Sequence, residues 1–342
     1  MAIRKIKCVV WDLDNTVWDG ILIQDQDVEL RQNVINIIKT LDERGILQSI
    51  CSKNEYQLAI KKLEEFNILD YFIYPQINWN PKSSGLRNIA NAINIGMDTI
   101  AFIDDQDFER EEVSFNNSDV LCIDVADVDK ILNMEEMKPR FVTEDSKNRR
   151  LLYLKDIKRN KVEEEFEGTK EEFLSSLNMV FTIGKVDHED LKRAEELTVR
   201  THQLNATGYT YSYEELDKLS RSKDYDVLIA QLEDKYGDYG KIGLALIEKK
   251  EGEWLIKLLL MSCRVVSRGV GSILLNYIIK KAKEANVRLL AEFMPTDRNR
   301  IMYITYKFSG FNEVEKKDGR IIFESNLINI TPIANYIKVL EK

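Results

Sequence analysis

The sequence predicts an α/β protein, with a Rossmann-like domain that has a minimal cap, followed by an α+β domain. Three observations support this prediction. Short apolar runs alternate with helical patterns up to Asp124, which is typical of a parallel, doubly wound sheet. Several of these runs end in acidic or polar residues, as strands do where open sheets bind ligands. Later in the chain, three apolar runs joined by short turns indicate an antiparallel meander.

The bulk properties exclude several classes of protein. A length of 342 residues predicts two domains, and 44% hydrophobic with 31% charged residues is ordinary for a globular protein. No run is long and apolar enough to span a bilayer, and the chain enters its first strand at once, so we expect no signal peptide. A net charge of −9 disfavours a general nucleic-acid binder, and two histidines are too few for a histidine-built metal site. Four widely spaced cysteines without a CxxC pair predict a reducing, cytoplasmic setting.

The predicted domain boundaries follow changes in composition. We expect a first domain at 1–140, a charged helical connector at 141–178, a second domain at 179–330 and a tail at 331–342. The tail is expected to be a short helix or a frayed end.

The first domain reads as strands and helices in turn. A flap at 20–29 is too short to be a large cap domain. Gly45 is expected to end the first helix as a C′ glycine. The predicted strands are 6–11, 46–51, 71–74, 99–103 and 120–124, with helices from about 34 to 44, 55 to 66 and 87 to 93.

Polar side chains follow four of these strands. Since the carboxyl ends of parallel strands share one edge of the sheet, we expect these groups to meet. Each has an ordinary alternative when taken alone: an Asx turn after the first strand, a helix N-cap, a solvated lysine, a turn. Their succession favours a site instead. The residues are Asp12 and Asp14, then Ser52, then Lys82, then Asp104 and Asp105.

These groups have the chemistry of phosphoryl transfer. Asp12 is the expected nucleophile, and Asp14 is the expected acid that protonates the leaving group and later activates water. Crowded carboxylates require a neutralising cation, and oxygen ligands suit Mg²⁺. The expected phosphate-binding residues are Ser52, Lys53, Asn54 and Lys82, and the expected metal ligands are Asp12, Asp14, Asp104 and Asp105.

This order of motifs resembles the haloacid dehalogenase superfamily, and in particular its FkbH-like branch. The stretches that carry the resemblance are 12–18 (DLDNTVW), 51–54 (CSKN), 80–83 (NPKS) and 102–113 (FIDDQDFEREEV). Members usually have Leu in place of Val17 and Gly-Gly in place of Asp19-Gly20. The resemblance implies an enzyme that removes phosphate from 1,3-bisphosphoglycerate and loads the glyceryl unit, as a thioester, onto the phosphopantetheine of an acyl carrier protein in polyketide or related biosynthesis.

The implied activity requires a thiol. Cys51 lies beside Ser52 at a strand end and could accept the glyceryl group, with a nearby lysine or helix N-terminus lowering its pKa. The alternative is an inert core cysteine, and strict strand alternation would direct Cys51 away from Ser52. Cys263, close to a glycine-containing turn, is the second candidate.

The second half resembles the GNAT acyltransferase fold. Strands at 227–232, 243–247 and 254–260 form the meander, followed by a turn, a helix at 272–285 and a strand at 289–293. Val266 stands where the family usually has Gln or Arg, so we do not predict an acetyltransferase. The turn could cradle phosphopantetheine, or it could be purely structural. The candidate phosphopantetheine-binding residues are Arg268, Gly269, Gly271 and Asn299.

Three functions follow from this sequence. The first is the glyceryl-transferring phosphatase, and the second is a plain Mg²⁺-dependent phosphatase of a small metabolite that needs no cysteine. The third is a scaffold that docks a carrier protein. Carrier proteins are acidic, so docking would need a basic face; our candidate is Arg149, Arg150, Lys158 and Arg159.

Overall fold

The chain folds into two compact units, Met1–Leu154 (unit 1) and Lys155–Lys342 (unit 2). The computed structural model describes residues 5–25, 27–328 and 333–342. Parts of the signal-peptide, flap and tail predictions fall on 1–4, 26 and 331–332, which lie outside the described residues. Within the described ranges, no helix has the length and apolarity needed to cross a membrane.

Unit 1 is built on a five-stranded parallel sheet, as predicted. The strand order is β5-β4-β1-β6-β7, and helices connect the strands. The elements are β1 (Cys8–Trp11), β2 (Trp18–Asp19), β3 (Glu29–Leu30), α1 (Gln32–Glu43), β4 (Leu47–Ser52), α2 (Tyr56–Glu65), β5 (Gln76–Ile77), α3 (Lys82–Ile93), β6 (Ile100–Asp104), α4 (Asp107–Asn116), β7 (Leu121–Asp124), α5 (Glu144–Lys147) and α6 (Arg149–Glu164).

The hydrophobic pattern explains how β1 becomes the centre of this sheet. All four β1 residues are buried, since the strand has β4 and β6 as neighbours and both of its faces are covered. Helix α1 packs with an apolar stripe at helical spacing, from Val34 to Leu41. Gly45 ends that segment at φ +70°, and a Cβ there would lie 2.6 Å from the carbonyl oxygen of Ser146, so only glycine fits.

Two elements predicted before Gly168 differ in the structure. The predicted strand at 71–74 does not form: Tyr71 ends a 3-10 turn (Leu69–Tyr71), and the edge strand β5 comes later, because Tyr74 adopts φ +51° and breaks the extended run. The charged helix predicted from Thr143 to Arg159 is two helices. Thr143 and Ser146 form a capping box on α5, as expected from their spacing, and Asn148 separates α5 from α6.

The predicted connector at 141–178 is not a separate element. The boundary between the two units falls within α6, after Leu154. Contacts explain why its first part belongs to unit 1: Arg149 donates a hydrogen bond of 2.6 Å to the carbonyl oxygen of Gly45. Its later part belongs to unit 2, where Arg159 is fully buried and pairs with Asp234.

Unit 2 is an eight-stranded mixed sheet in the order β13-β14-β12-β11-β10-β9-β8-β15. The predicted meander is confirmed as β9, β10 and β11, and β11 runs parallel to β12 through the crossover helix α10. The elements are α7 (Lys170–Ser176), β8 (Met179–Lys185), α8 (Leu191–Arg200), α9 (Tyr213–Ser220), β9 (Tyr225–Asp234), β10 (Gly237–Lys250), β11 (Glu253–Met261), α10 (Ile273–Glu284), β12 (Arg288–Phe293), α11 (Arg300–Phe308), β13 (Phe311–Lys317), β14 (Arg320–Ser325) and β15 (Ile337–Glu341).

The prediction of a helical or frayed tail is wrong for the described part of that segment. Strand β15 pairs in parallel with β8, and Ile337 lies opposite Met179. Ile337 is buried in the main core of unit 2. The tail therefore completes one edge of the sheet, which a local sequence pattern could not show because the partner strand lies far away along the chain.

Candidate active site

The centre of the site is an ammonium group held between two buried carboxylates. Asp12 directly follows β1, Asp104 ends the adjacent β6, and Lys82 begins α3. The Lys82 Nζ atom lies 2.7 Å from Oδ1 of Asp12 and 2.6 Å from Oδ2 of Asp104. The side chains are 3%, 5% and 0% exposed for Lys82, Asp12 and Asp104. Three predicted site residues therefore meet, at the carboxyl edge of the parallel sheet.

The charges of this cluster are unbalanced. Burial is the main cause that raises the pKa of Asp12, although Lys82 and Ser52 oppose it. Burial and then the Asp12 charge raise the pKa of Asp104 to about 6. For Lys82, burial alone would lower the pKa, but the two carboxylates outweigh it and hold the pKa above its usual value. One ammonium faces two carboxylates, so the cluster can accept a further cation.

A third carboxylate makes the cluster suitable for a metal ion. Carboxylate oxygens of Asp12, Asp104 and Asp105 all lie within 4.8 Å of one another. The Oδ1 atom of Asp105 is buried and has no hydrogen-bond partner among the described residues, and burial raises the pKa of this carboxyl group. An orphan oxygen beside two further carboxylates fits a hard cation, and oxygen-only ligands suit Mg²⁺. These three residues would hold it.

Asp14 has a different place from the one predicted. Its Oδ1 atom accepts hydrogen bonds from the indole of Trp18 (2.8 Å) and the backbone amide of Leu22 (3.1 Å). Its Oδ2 atom accepts from Asn54 (3.0 Å). The side chain lies outside the three-carboxylate group. Three donors fix it in one orientation, which suits an acid–base group better than a metal ligand.

The four predicted phosphate-binding residues have different partners in the structure. Ser52 is buried, and its hydroxyl bonds Asp12. Asn54 is also buried and holds Asp14, so it is a positioning residue. Lys53 is partly exposed and pairs with Glu109, its Nζ atom 2.6 Å from Oε1. Lys82 is already described. Phosphate binding by these four residues stays a prediction.

Sequence reasoning missed the residues that support the site. The Glu112 carboxylate in α4 accepts hydrogen bonds from the Ser83 hydroxyl (2.6 Å) and backbone amide (3.0 Å). Asn117 donates to the Ser83 carbonyl oxygen at 3.0 Å. These contacts anchor the first turn of α3, from which Lys82 extends. Glu112 lies inside the motif at 102–113, but nothing in the local sequence indicates its partner 29 residues earlier.

The structure does not support a catalytic thiol at Cys51. Strand β4 continues through Ser52, so alternation directs the two side chains to opposite faces. The Cys51 side chain is directed at the start of α3: Sγ lies 3.6 Å from the Lys82 carbonyl oxygen, and a Cβ added at Gly85 would come within 2.6 Å of it. Burial raises the thiol pKa to about 12. Cys51 is therefore a core cysteine in this structure.

Two candidate phosphopantetheine-binding residues have structural roles. Arg268 is 1% exposed, and its guanidinium bonds Glu163 and Asn160, each at 2.8 Å. Asn299 is fully buried, and its amide donates to backbone carbonyl oxygens. Gly269 and Gly271 are exposed before α10, and phosphopantetheine binding there stays a prediction. The second candidate thiol, Cys263, is half-buried beside Gln203.

The basic face proposed for carrier docking is not a surface. Arg149 and Arg159 are buried. Arg150 makes two hydrogen bonds to the Asp42 carboxylate, at 2.9 and 3.1 Å. Only Lys158 among the four is exposed. Arg150 and Arg159 form ion pairs within their own units, with Asp42 and Asp234, and Arg149 bonds the Gly45 carbonyl oxygen.

Solved structures resemble parts of this chain. One is the N-terminal part of protein BF1531 from Bacteroides fragilis, which contains a phosphatase domain complexed with Mg; it is 28% identical, covers 44% of this chain and 39% of that chain, and has a TM-score of 0.33. A ribosomal-protein-alanine N-acetyltransferase from Escherichia coli is 19% identical, with 45% and 97% coverage and a TM-score of 0.34. An N-acetyltransferase from Thermoplasma acidophilum in complex with coenzyme A is 17% identical, with 42% and 98% coverage and a TM-score of 0.31.

Each of these likenesses covers less than half of this chain, and the matched region is well under two thirds of the Bacteroides protein. No family model matches the sequence, and no curated protein matches it. The chemistry proposed for the chain therefore rests on the geometry of unit 1, where the buried Lys82 ammonium lies beside three carboxylates that could hold a metal ion, and where Asp14 is fixed by hydrogen bonds.

Proposed function

We propose that unit 1 is a Mg²⁺-dependent phosphatase that acts on a small phosphorylated metabolite through Asp12. The observation that carries the proposal is the convergence of Asp12, Lys82 and Asp104, with distances of 2.7 and 2.6 Å, at the carboxyl edge of a parallel sheet. Mg²⁺ would be held by Asp12, Asp104 and Asp105, and it would neutralise charge on the phosphate and the carboxylates.

The side chains supply a two-step mechanism. An oxygen of Asp12 attacks phosphorus, a P–O bond forms, and the bond to the leaving oxygen breaks as Asp14 gives that oxygen a proton. Asp14 then takes a proton from water, which attacks the phosphoaspartate, releases phosphate and regenerates Asp12. Lys82 offsets the charge that develops on the phosphoryl oxygens. Asn54 and Trp18 keep Asp14 in line for both proton transfers.

The finer proposal concerns the substrate. The FkbH-like resemblance suggests 1,3-bisphosphoglycerate, whose phosphate ester is the substrate for Asp12. Its acyl phosphate would transfer the glyceryl group to the phosphopantetheine thiol of an acyl carrier protein. Because Cys51 is buried against α3, we propose that the carrier thiol attacks directly: the C–S bond forms, the acyl C–O bond breaks, phosphate leaves and the thiol proton passes to solvent.

Intact-protein mass spectrometry and phosphate release test both levels of this proposal. Wild type, Asp12→Asn and Cys51→Ala are incubated with Mg²⁺ and freshly generated 1,3-bisphosphoglycerate, with and without carrier protein, and 3-phosphoglycerate serves as the matched substrate without an acyl phosphate. We expect ester hydrolysis by wild type and Cys51→Ala but not by Asp12→Asn, and a glyceryl adduct on the carrier.

The other outcomes separate the rival functions. Ester hydrolysis without carrier loading would leave the plain phosphatase. A glyceryl adduct on wild type that is absent from Cys51→Ala would restore the thiol to the reaction and overturn our direct-transfer step. If wild type does not hydrolyse the ester, and both wild type and Asp12→Asn bind the carrier protein, the protein would be a scaffold.

A further inference from the structure

Strands β11 and β12 of unit 2 form a cleft. They pair in parallel only over Glu253–Ile256 and Arg288–Ala291, although β11 continues to Met261 and β12 to Phe293. Parallel strands that part at their carboxyl ends make the usual ligand site of such sheets. Two strand backbones that part in this way would also suit pantetheine, because its two amides could pair with them as an added strand would. The fold therefore implies coenzyme A or phosphopantetheine in this cleft.

The cleft is filled by the chain itself. Residues Leu204–Ala206, which we name the wedge, lie between α8 and α9 in sequence and enter the gap. The Ala206 amide donates to the Leu259 carbonyl oxygen, and the Met261 amide donates to the Leu204 carbonyl oxygen, both at 3.0 Å. On the other side, the Met294 amide donates to the Ala206 carbonyl oxygen at 3.0 Å. The wedge thus takes the backbone groups that pantetheine amides would use.

Two buried asparagines hold the wedge in place. The Asn299 side-chain amide donates to the carbonyl oxygens of Asn205 (3.0 Å) and Met294 (2.9 Å), and so links the wedge to the end of β12. The side-chain carbonyl oxygen of Asn205 accepts hydrogen bonds from the backbone amides of Thr207 (3.1 Å) and Gly208 (2.9 Å), and this turn directs the chain out of the cleft. Both asparagines are 0% exposed.

We propose that the wedge is a built-in occupant of the cleft that excludes coenzyme A and phosphopantetheine from unit 2. The residues around the cleft do not fit a pantetheine group in this arrangement: the strand backbones are bonded, Asn299 is engaged, and Arg268 pairs with Glu163. Unit 2 is consequently not a coenzyme A-dependent acyltransferase while the wedge is seated. This inference concerns unit 2 alone and does not depend on the phosphatase proposed for unit 1.

Hydrogen exchange and coenzyme A binding test the wedge. In wild type, the amides of Ala206, Met261 and Met294 should exchange as slowly as those in the middle of β11, and isothermal calorimetry with coenzyme A should show no binding. Asn299→Ala should release the wedge, so that these amides exchange at least ~10-fold faster, and should create saturable coenzyme A binding. Asn312→Ala, on the exposed face of β13, is the matched control and should behave as wild type.

Two results would overturn the proposal. One is saturable coenzyme A binding by wild type while the amides of Ala206, Met261 and Met294 stay protected, since the seated wedge would then exclude nothing. The other is a released wedge, shown by fast exchange, with no coenzyme A binding. If Asn299→Ala does not fold, Ala206→Pro takes its place in both measurements, because proline lacks the backbone amide that bonds the Leu259 carbonyl oxygen. The wild-type measurements need no variant and decide the first outcome alone.

Discussion

The Lys82 ammonium lies 2.7 Å from the Oδ1 atom of Asp12, a residue 70 positions earlier in the chain. Helix α3 begins at Lys82 and delivers this cation to the end of β1. Both side chains are almost fully excluded from water, so hydration cannot stabilise either charge and each depends on its charged partner. The pair therefore links the stability of unit 1 to its chemistry, and the first prediction follows from it.

Lys82→Met should abolish phosphatase activity and destabilise unit 1. Asp12 and Asp104 would be left as buried carboxylates without their ammonium partner, which typically costs about 3–5 kcal/mol. The loss of one preorganised charge costs on the order of 10²-fold or more in rate. Urea unfolding and phosphate release measure the two effects. Lys61→Met, at an exposed lysine on α2, is the control and should change neither; an active Lys82→Met would contradict the proposed role.

Mg²⁺ binding should weaken as the pH falls through about 6. Burial and the Asp12 charge raise the pKa of Asp104 to about 6, so below that pH a proton competes with the metal for this carboxylate. Without metal, the raised pKa means that this group contributes less stability as the pH rises from about 4 to 6. The rise in melting temperature caused by Mg²⁺ should therefore grow between pH 5 and 7. A shift independent of pH would exclude Asp104 as a ligand.

Asn54→Ala should lower kcat while changing KM little. Its amide bonds Oδ2 of Asp14 at 3.0 Å, and a misplaced acid–base group costs up to about 10²-fold in rate. Asn88→Ala, at an exposed asparagine of α3 that bonds Gln76, should leave both unchanged. An equal loss in the two variants would mean that Asn54 acts only through stability.

Gly85→Ala should destabilise unit 1 through Cys51. The new methyl group would lie 2.6 Å from Sγ of Cys51, and such overpacking typically costs about 1–3 kcal/mol. The double variant Gly85→Ala with Cys51→Ala should recover most of this loss, because the two side chains are in direct contact. Additive effects in chemical denaturation would place the Cys51 side chain elsewhere.

Cys51 and Cys8 should resist alkylation in the native protein. Both are buried, and burial raises the pKa of Cys51 to about 12, so the thiolate is scarce at pH 8. Peptide mapping after treatment with iodoacetamide should find Cys122 and Cys263 labelled first, since both are only partly buried. Early labelling of Cys51 would indicate an accessible, reactive thiol and revive its catalytic role.

The sequence pattern located the centre of the site because its information is local. Apolar runs that end in Asp12, Ser52 and Asp104 identify strand ends, and parallel topology brings those ends together. The orientation of Cys51 could not be predicted in the same way, since it depends on whether β4 ends one residue earlier or later. Asn54 was predicted to bind phosphate, but in the structure its amide bonds Asp14. The sequence could not show this, because the partner of a side chain depends on three-dimensional packing.

Long-range pairing explains the larger differences. Leu204–Ala206 contains no strand pattern, and its order comes from the backbones of β11 and the end of β12 together with the side chain of Asn299. Arg149 and Arg159 look like solvated charges on a helix, but distant partners at Gly45 and Asp234 draw them into the interior. The residues that neighbour these positions in the sequence therefore could not predict either the position of Leu204–Ala206 or the burial of the two arginines.

The pairing of β15 with β8 has a consequence for how the protein is made. During synthesis on the ribosome, β8 is complete long before Ile337 emerges to lie beside Met179. Until then, β8 presents an unpaired edge, which other nascent chains could join. Closing so large a loop is also slow. Unit 1 can assemble from contiguous sequence while unit 2 must wait, so we expect unit 2 to set the pace of maturation and to depend most on chaperones.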